Sequence, residues 1–275
     1  MIENLSTAEI LRWQLDAGVD ETIGNEPVDR FAQKPPAPPD VSAPKSAENT
    51  PKAPLNKPEK NRTPQGPAVA EHLLSEACEF AANAKNVEEL KQVLMAYDGC
   101  ALKKTATNLV FGDGNPKAKI VLIGEGPGAE EDRQGLPFVG PSGQLLDKML
   151  ASIGLDREQV FISNTVFWRP PGNRTPTSGE TALCMPFVER LMELIDPEIL
   201  ITLGGPAAKA MLAETAGVGR LRGKWYTYST PKLPRPVQAT ALFHPAYLLR
   251  SPVHKREAWR DLLMIRDKMA ELGLS

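Results

Sequence analysis

Four short apolar runs constrain this chain most: AKIVLIG (118–124), QVFISN (159–164), EILITLG (198–204) and QATALF (238–243). Each is too short for a helix and stops at, or just before, a Gly, Asn or His, which reads as a buried strand. Helical spacing fills the intervals, at 142–154, 179–195 and 206–217, and two more helical stretches precede the first run at 68–84 and 87–97. Strands that are apolar on both faces and alternate with helices predict a mainly parallel sheet covered on both sides. The expected fold is therefore α/β, a three-layer α/β/α sandwich around a central four-stranded parallel sheet. Ligands of such sheets lie beyond the carboxyl ends of the strands, so the residues that follow each run are the ones to inspect.

The rest of the 275 residues does not make a second domain. Eleven of the 26 prolines fall between Pro27 and Pro67, in a stretch with one aromatic residue, Phe31, and few large aliphatics. It cannot bury enough apolar surface to offset the entropy of ordering it, so it reads as an extended linker. Ahead of it, Ser6 or Thr7 caps a short helical pattern with Ile10, Leu11, Trp13 and Leu15 on an uneven apolar face. That helix docks on its own protein, binds a protein partner at the end of a tether, or is a frayed segment. The expected division is 1–67, helix and linker, and 68–275, one folded domain.

Charge and cysteine content exclude several classes. With 32 Lys+Arg against 34 Asp+Glu, the formal net charge is -2, which excludes a uniformly basic nucleic-acid coat. Three cysteines exclude a disulfide scaffold. No apolar window reaches membrane-spanning length and no signal-peptide pattern opens the chain, so a monomeric cytoplasmic protein without membrane contact is expected. Local charge differs from the total. No acid occurs between Glu214 and Glu257, where Arg220, Arg222, Lys224, Lys232, Arg235, Arg250, Lys255 and Arg256 supply +8. That asymmetry favours a one-sided polyanion surface, although a solvated loop would also explain it.

The strand ends carry the chemistry. The first run enters GEGPGAEEDRQGLPFVG (124–140), a close-approach glycine turn whose spacing is not that of a dinucleotide loop and after which no helix is expected to start. It is either a plain turn or a backbone cradle for an anion or a polar ring. Asn164 ends the second run; it either caps a turn or offers a nucleobase edge a donor beside an acceptor. Arg169 and Arg174 flank Pro170 and Pro171, as phosphate contacts or as a solvated rim. His244 follows the fourth run in HPAYLLR (244–250), where an apolar Tyr247-Leu248-Leu249 tip precedes Arg250. An apolar tip beside positive charge suits a wedge that enters a base stack, and a buried turn histidine is the bland alternative.

Taken together, GEGPGAEEDRQGLPFVG, NTVFWRPPGNRTP (164–176), LGGPAAKAML (203–212) and HPAYLLR resemble the family 4 uracil-DNA glycosylases, over roughly 96–263. The resemblance implies one α/β/α domain that hydrolyses the N-glycosidic bond of flipped-out deoxyuridine and leaves an abasic site in single- or double-stranded DNA. It implies Glu125 and His244 as catalytic residues, the first in the loop that holds the attacking water, the second hydrogen-bonding uracil O2. Gly126 would contact the base, Glu131 would support the loop, Phe138 would stack on uracil and Asn164 would read O4 and N3–H. Leu248, with Leu249, becomes the wedge; Arg169, Arg174 and Arg250 become phosphate contacts.

Members of that family usually hold a [4Fe–4S] cluster on four cysteines. Here Cys100 and Cys184 match two ligand positions, while Tyr97 and Trp168 stand at the other two and Cys78 lies outside the spacing. Two thiolates cannot hold such a cluster, so no cofactor is expected. Two other functions stay open at this point: a DNA-binding module of the same fold with little catalysis, and an α/β enzyme acting on a small nucleotide.

Overall fold

The structure is a computed structural model and describes residues 67–274, with side chains from residue 71. The expected N-terminal helix and the linker up to residue 66 lie outside the described residues. Six strands form one sheet: β1 (Asp113–Gly114), β2 (Ile120–Gly124), β3 (Val160–Asn164), β4 (Ile199–Leu203), β5 (Tyr226–Tyr228) and β6 (Val237–Leu242). Their order is β1-β3-β2-β4-β6-β5. β3, β2, β4 and β6 pair in parallel, at the four positions expected. The expected four-stranded sheet needs correction, because β1 and β5 add short antiparallel edges and make it mixed. At two and three residues, these edges carry no periodicity to read.

The helices are α1 (Pro67–Asn83), α2 (Val87–Ala96), α3 (Ala129–Gln134), α4 (Pro141–Ala151), α5 (Ser178–Ile195), α6 (Gly205–Leu212), α7 (Val218–Leu221), α8 (Pro245–Arg250) and α9 (Lys255–Glu271). Five differ from expectation, α7 and α8 because helices of four and six residues carry too little periodicity to read. α3 does begin directly after Gly128, because Glu131 reaches back to the Gly128 amide (3.1 Å) and satisfies a donor of the first turn. α6 stops at Leu212, where Ala213 turns left-handed (φ 54°), rather than continuing to 217. α9 is strongly charged, and only Ala258, Asp261, Leu262, Ile265 and Met269 along one stripe are buried, so its apolar signal is thin. None of the helices among the described residues is long and apolar enough to cross a membrane.

Alternation along the strands builds the sandwich. On β2, Val121 and Ile123 point into a core shared with Leu90, Leu94, Phe187 and Leu191 of α2 and α5. Ile120 and Leu122 point the other way, into a core with Leu146 and Leu150 of α4 and Leu262 and Ile265 of α9. β2, β3 and β4 thus each feed both cores, which is why they are buried at every position. β2 lies between β3 and β4, so the chain reverses direction across the sheet there. The carboxyl ends of these strands open a crevice where that reversal occurs.

Candidate active site

A cavity of about 570 Å³ lies at those strand ends. Of the residues singled out from sequence, Glu125, Gly126, Glu131, Phe138, Asn164, Arg174, His244 and Arg250 line it. Arg169, Leu248 and Leu249 do not. Close approach explains the glycine that ends β2: a Cβ on Gly124 would lie 2.4 Å from Asn164 Oδ1 and 2.6 Å from Phe138 Cζ. Those two contacts also place the amide and the ring beside each other. Thr165 donates its amide to the Gly124 carbonyl (2.8 Å) and its hydroxyl to the Glu125 carbonyl (2.7 Å), so the end of β3 fixes the glycine loop.

Glu131 braces the wall from within it. Its buried carboxylate accepts the amides of Gly128 (3.1 Å), Val139 (3.1 Å) and Gly140 (3.0 Å), tying the glycine loop to the segment that carries Phe138. Phe138 is buried and adopts φ 54°, the left-handed region that a bulky residue enters at a cost of order 1–3 kcal/mol. Gly143 of α4 makes this conformation feasible, because a Cβ there would fall 1.7 Å from the Phe138 carbonyl oxygen. Burial raises the pKa of Glu125 above the usual carboxylate value, and a hydrogen bond from Thr175 opposes part of that rise.

Asn164 is 1% exposed, and its Oδ1 has no hydrogen-bond partner although the side chain lines the cavity. An orphan acceptor of this kind costs about 1–3 kcal/mol and marks a place where a ligand donor belongs. His244 supplies the complementary group. It caps α8, with Nδ1 accepting the Ala246 amide at 3.1 Å, and Pro245 occupies the first helical position. Since Nδ1 accepts, the proton of the neutral ring sits on Nε2. Burial, then the nearby Arg250 guanidinium, pushes the His244 pKa down to about 4, against a smaller opposing pull from Glu131. His244 is thus a neutral donor at physiological pH. Its ring stacks on Phe138, with centroids 5.6 Å apart and planes 29° apart.

Residues 111–263 match the model of the uracil DNA glycosylase superfamily. The type-4 uracil-DNA glycosylase of Archaeoglobus fulgidus is 40% identical over 187 residues, 66% of this chain and 93% of that protein. Those of Sulfurisphaera tokodaii and Pyrobaculum aerophilum are 36% and 37% identical, covering 66% and 65% of this chain and 84% and 92% of theirs. The chain is a type-4 member of the uracil-DNA glycosylase superfamily.

In this glycosylase the expected DNA-facing residues divide. Leu248 is 1% exposed and packs in the core with Leu242 and Leu262, which corrects its expected place at an exposed tip; of the pair only Leu249, 43% exposed, reaches the surface. Arg174 makes a two-pronged pair with Glu180 (2.6 and 2.8 Å), and Arg169 is held by Asn173 (2.7 Å). Of the eight bases in the acid-free segment, Arg222 is neutralised by Asp261 and Arg235 by Glu198 and Asp196. Arg250 makes no ion pair among the described residues and stands on the cavity rim. Gly143 and Arg157, behind Phe138, were not singled out from sequence, and Tyr247, read there only as part of an apolar tip, lies on the cavity wall.

The residues at the family's cluster position do not fit an iron–sulfur cluster in this glycosylase. Cys100 and Cys184 are fully buried neighbours, and the Cys184 thiol is held well above its usual range by its hydrogen bond to Cys100 and by burial. Tyr97 fills the adjoining space: a Cβ on Gly99 would meet its hydroxyl oxygen at 2.2 Å, and its ring lies 5.1 Å from that of Phe187. Its hydroxyl donates to the Leu73 carbonyl (3.2 Å), and burial pushes its pKa up to about 12, so it offers no anionic ligand. Trp168 is equally buried, and no group of three or more metal-ligating side chains occurs among the described residues.

Proposed function

We propose that this protein hydrolyses the N-glycosidic bond of deoxyuridine in DNA, releasing uracil and leaving an abasic site, and that it does so as a monomer. The single observation that carries the reading is the unpaired Asn164 Oδ1, buried in the cavity beside the Phe138 ring and opposite a neutral His244 donor. Uracil presents an N3–H to that oxygen and an O4 to the amide nitrogen. Cytosine reverses both and would leave two buried groups mismatched, a strong basis for rejection. The nucleotide reaches the cavity only by leaving the base stack.

As the C1′–N1 bond breaks, the electron pair stays on uracil and the sugar becomes oxocarbenium-like. Negative charge spreads to O2, where the Nε2–H of His244 stabilises it more in the transition state than in the ground state. Because its pKa lies near 4, His244 is neutral and has no imidazolium proton to transfer; the Nε2–H of the neutral ring acts as a hydrogen-bond donor. Glu125 and the Gly126 backbone orient the water that adds to C1′; the water's second proton passes to solvent or to the Glu125 carboxylate, and the uracil anion is protonated on release. Arg250 holds the phosphate beside the flipped nucleotide, and Leu249 fills the vacated stack.

The test is an oligonucleotide with one uracil, presented single-stranded, opposite G and opposite A, then heated in alkali after incubation. Strand cleavage at the uracil that is slowed in His244→Ala and Asn164→Ala is expected. No cleavage of any of the three substrates refutes the proposal.

A further inference from the structure

We propose that Arg157 is a positioning residue for this reaction, acting through the backbone of Phe138; the inference rests on the glycosylase reading of the cavity. Arg157 lies between α4 and β3, behind the cavity wall, and never touches the cavity itself. Its Nη2 donates to the carbonyl of Phe138 and its Nη1 to that of Pro137 (3.2 Å). Two carboxylates orient the fork: Nη1 pairs with Asp113 (2.7 Å) and Nε with Asp147 (2.8 Å). Asp113 belongs to β1, whose pairing with β3 therefore serves to bring an acid to this guanidinium.

The Phe138 peptide is thus held on both sides. Arg157 grips the two carbonyls at and before it, and Glu131 grips the two amides after it, Val139 and Gly140. Gly143 closes the remaining side against the Phe138 carbonyl. A glycine would adopt φ 54° freely, whereas phenylalanine keeps it only where its surroundings over-determine the backbone. What this geometry secures is the direction of the ring, which stacks on His244 beside Asn164. A planar five-donor fork can hold two carbonyls and two carboxylates at once; a lysine ammonium cannot.

The experiment is Arg157→Lys, which keeps the charge and loses the fork, made in the wild-type and in the Phe138→Ala background. Single-turnover uracil release should fall between about 10- and 100-fold in the first background, as expected for a misplaced reacting geometry, and less than about twofold in the second. Equal losses in both backgrounds, or no loss in either, overturn the inference. A second readout does not depend on activity. With the eight phenylalanines replaced by 4-fluorophenylalanine, the ¹⁹F resonance assigned by Phe138→Leu should shift or broaden in Arg157→Lys. An unmoved Phe138 resonance overturns the inference as well. If the wild type releases no uracil, the glycosylase reading fails and the ¹⁹F result still decides the role of Arg157.

Discussion

The neutral state of His244 makes a prediction that separates two mechanisms. A general-acid histidine with an ordinary pKa of 6.5 would impose an inflection on uracil release near that pH. In this protein burial and Arg250 push the value down to about 4. At pH 5 the ring is then about 90% neutral, whereas at an unshifted pKa it would be about 3% neutral. Single-turnover release from a single-stranded uracil oligonucleotide, which avoids changes in duplex stability, should therefore show no inflection owed to His244 between pH 8 and 5.5. Protonation of Glu125 could add an acid limb, and Glu125→Gln identifies it.

The same shift bears on stability. The unfolded histidine takes up its proton near pH 6.5 and the folded one near 4, so the contribution is complete above about 6.5 and is lost as pH falls towards 4. The full difference is at most about 3 kcal/mol, and about 2 kcal/mol of it is gone at pH 5. Urea unfolding at each pH, compared with His244→Gln, measures that loss. An inflection near 6.5 that disappears in His244→Gln but survives in Glu125→Gln would refute the reasoning.

Asn164→Ala should lower uracil release by roughly 10- to 100-fold, from two lost hydrogen bonds of about 1 kcal/mol each, while leaving the midpoint of thermal unfolding unchanged or higher, because it removes an unsatisfied buried oxygen. Leu248→Ala should cost about 2–5 kcal/mol in urea unfolding, whereas Leu249→Ala should leave stability within about 0.5 kcal/mol and slow release from duplex more than from single-stranded substrate. Gly143→Ala drives a methyl group into the Phe138 carbonyl and should lower both stability and release, measured on the same samples. Pure protein should contain no stoichiometric iron and show no broad visible absorption band; finding both would contradict the side-chain packing around Tyr97.

The central sheet was legible because β2, β3, β4 and β6 are each buried on both faces and so appear as unbroken apolar runs. The residues at their ends were legible for the same reason: once the strands are placed, Gly124, Asn164 and His244 fall on one edge. Local pattern could not separate Leu248 from Leu249, because adjacent residues on a one-and-a-half-turn helix face opposite environments and only the packing of α8 says which is inside. Nor could it find Arg157, whose partners lie 19 and 20 residues upstream and meet it only through the fold. The acid-free segment overstated its own charge, since Asp196, Glu198 and Asp261 arrive from outside it.

Loss of the cluster ligands raises the question of what holds the cavity loop at 169–176, which contributes Pro170, Arg174, Thr175 and Pro176 to the wall. Both ends of that loop are anchored. Upstream, Trp168 is buried edge-on to Phe167, Phe167 stacks on Phe111 (5.9 Å), and the Phe167 carbonyl accepts the Val110 amide (2.9 Å). Downstream, Glu180 accepts the Thr177 amide (2.8 Å) to cap α5 and pairs with Arg174 at the same time. Between these anchors and α5, Tyr97 packs against Phe187 and Phe80, joining the segment after α2 to α1 and α5. Buried aromatic side chains each exclude 150–250 Å² from water, which gives the plug a stabilising role comparable in kind to a structural cross-link. The difference is chemical. Thiolate ligands would make the position of this loop depend on iron and on redox state, whereas an aromatic plug makes it depend on packing alone.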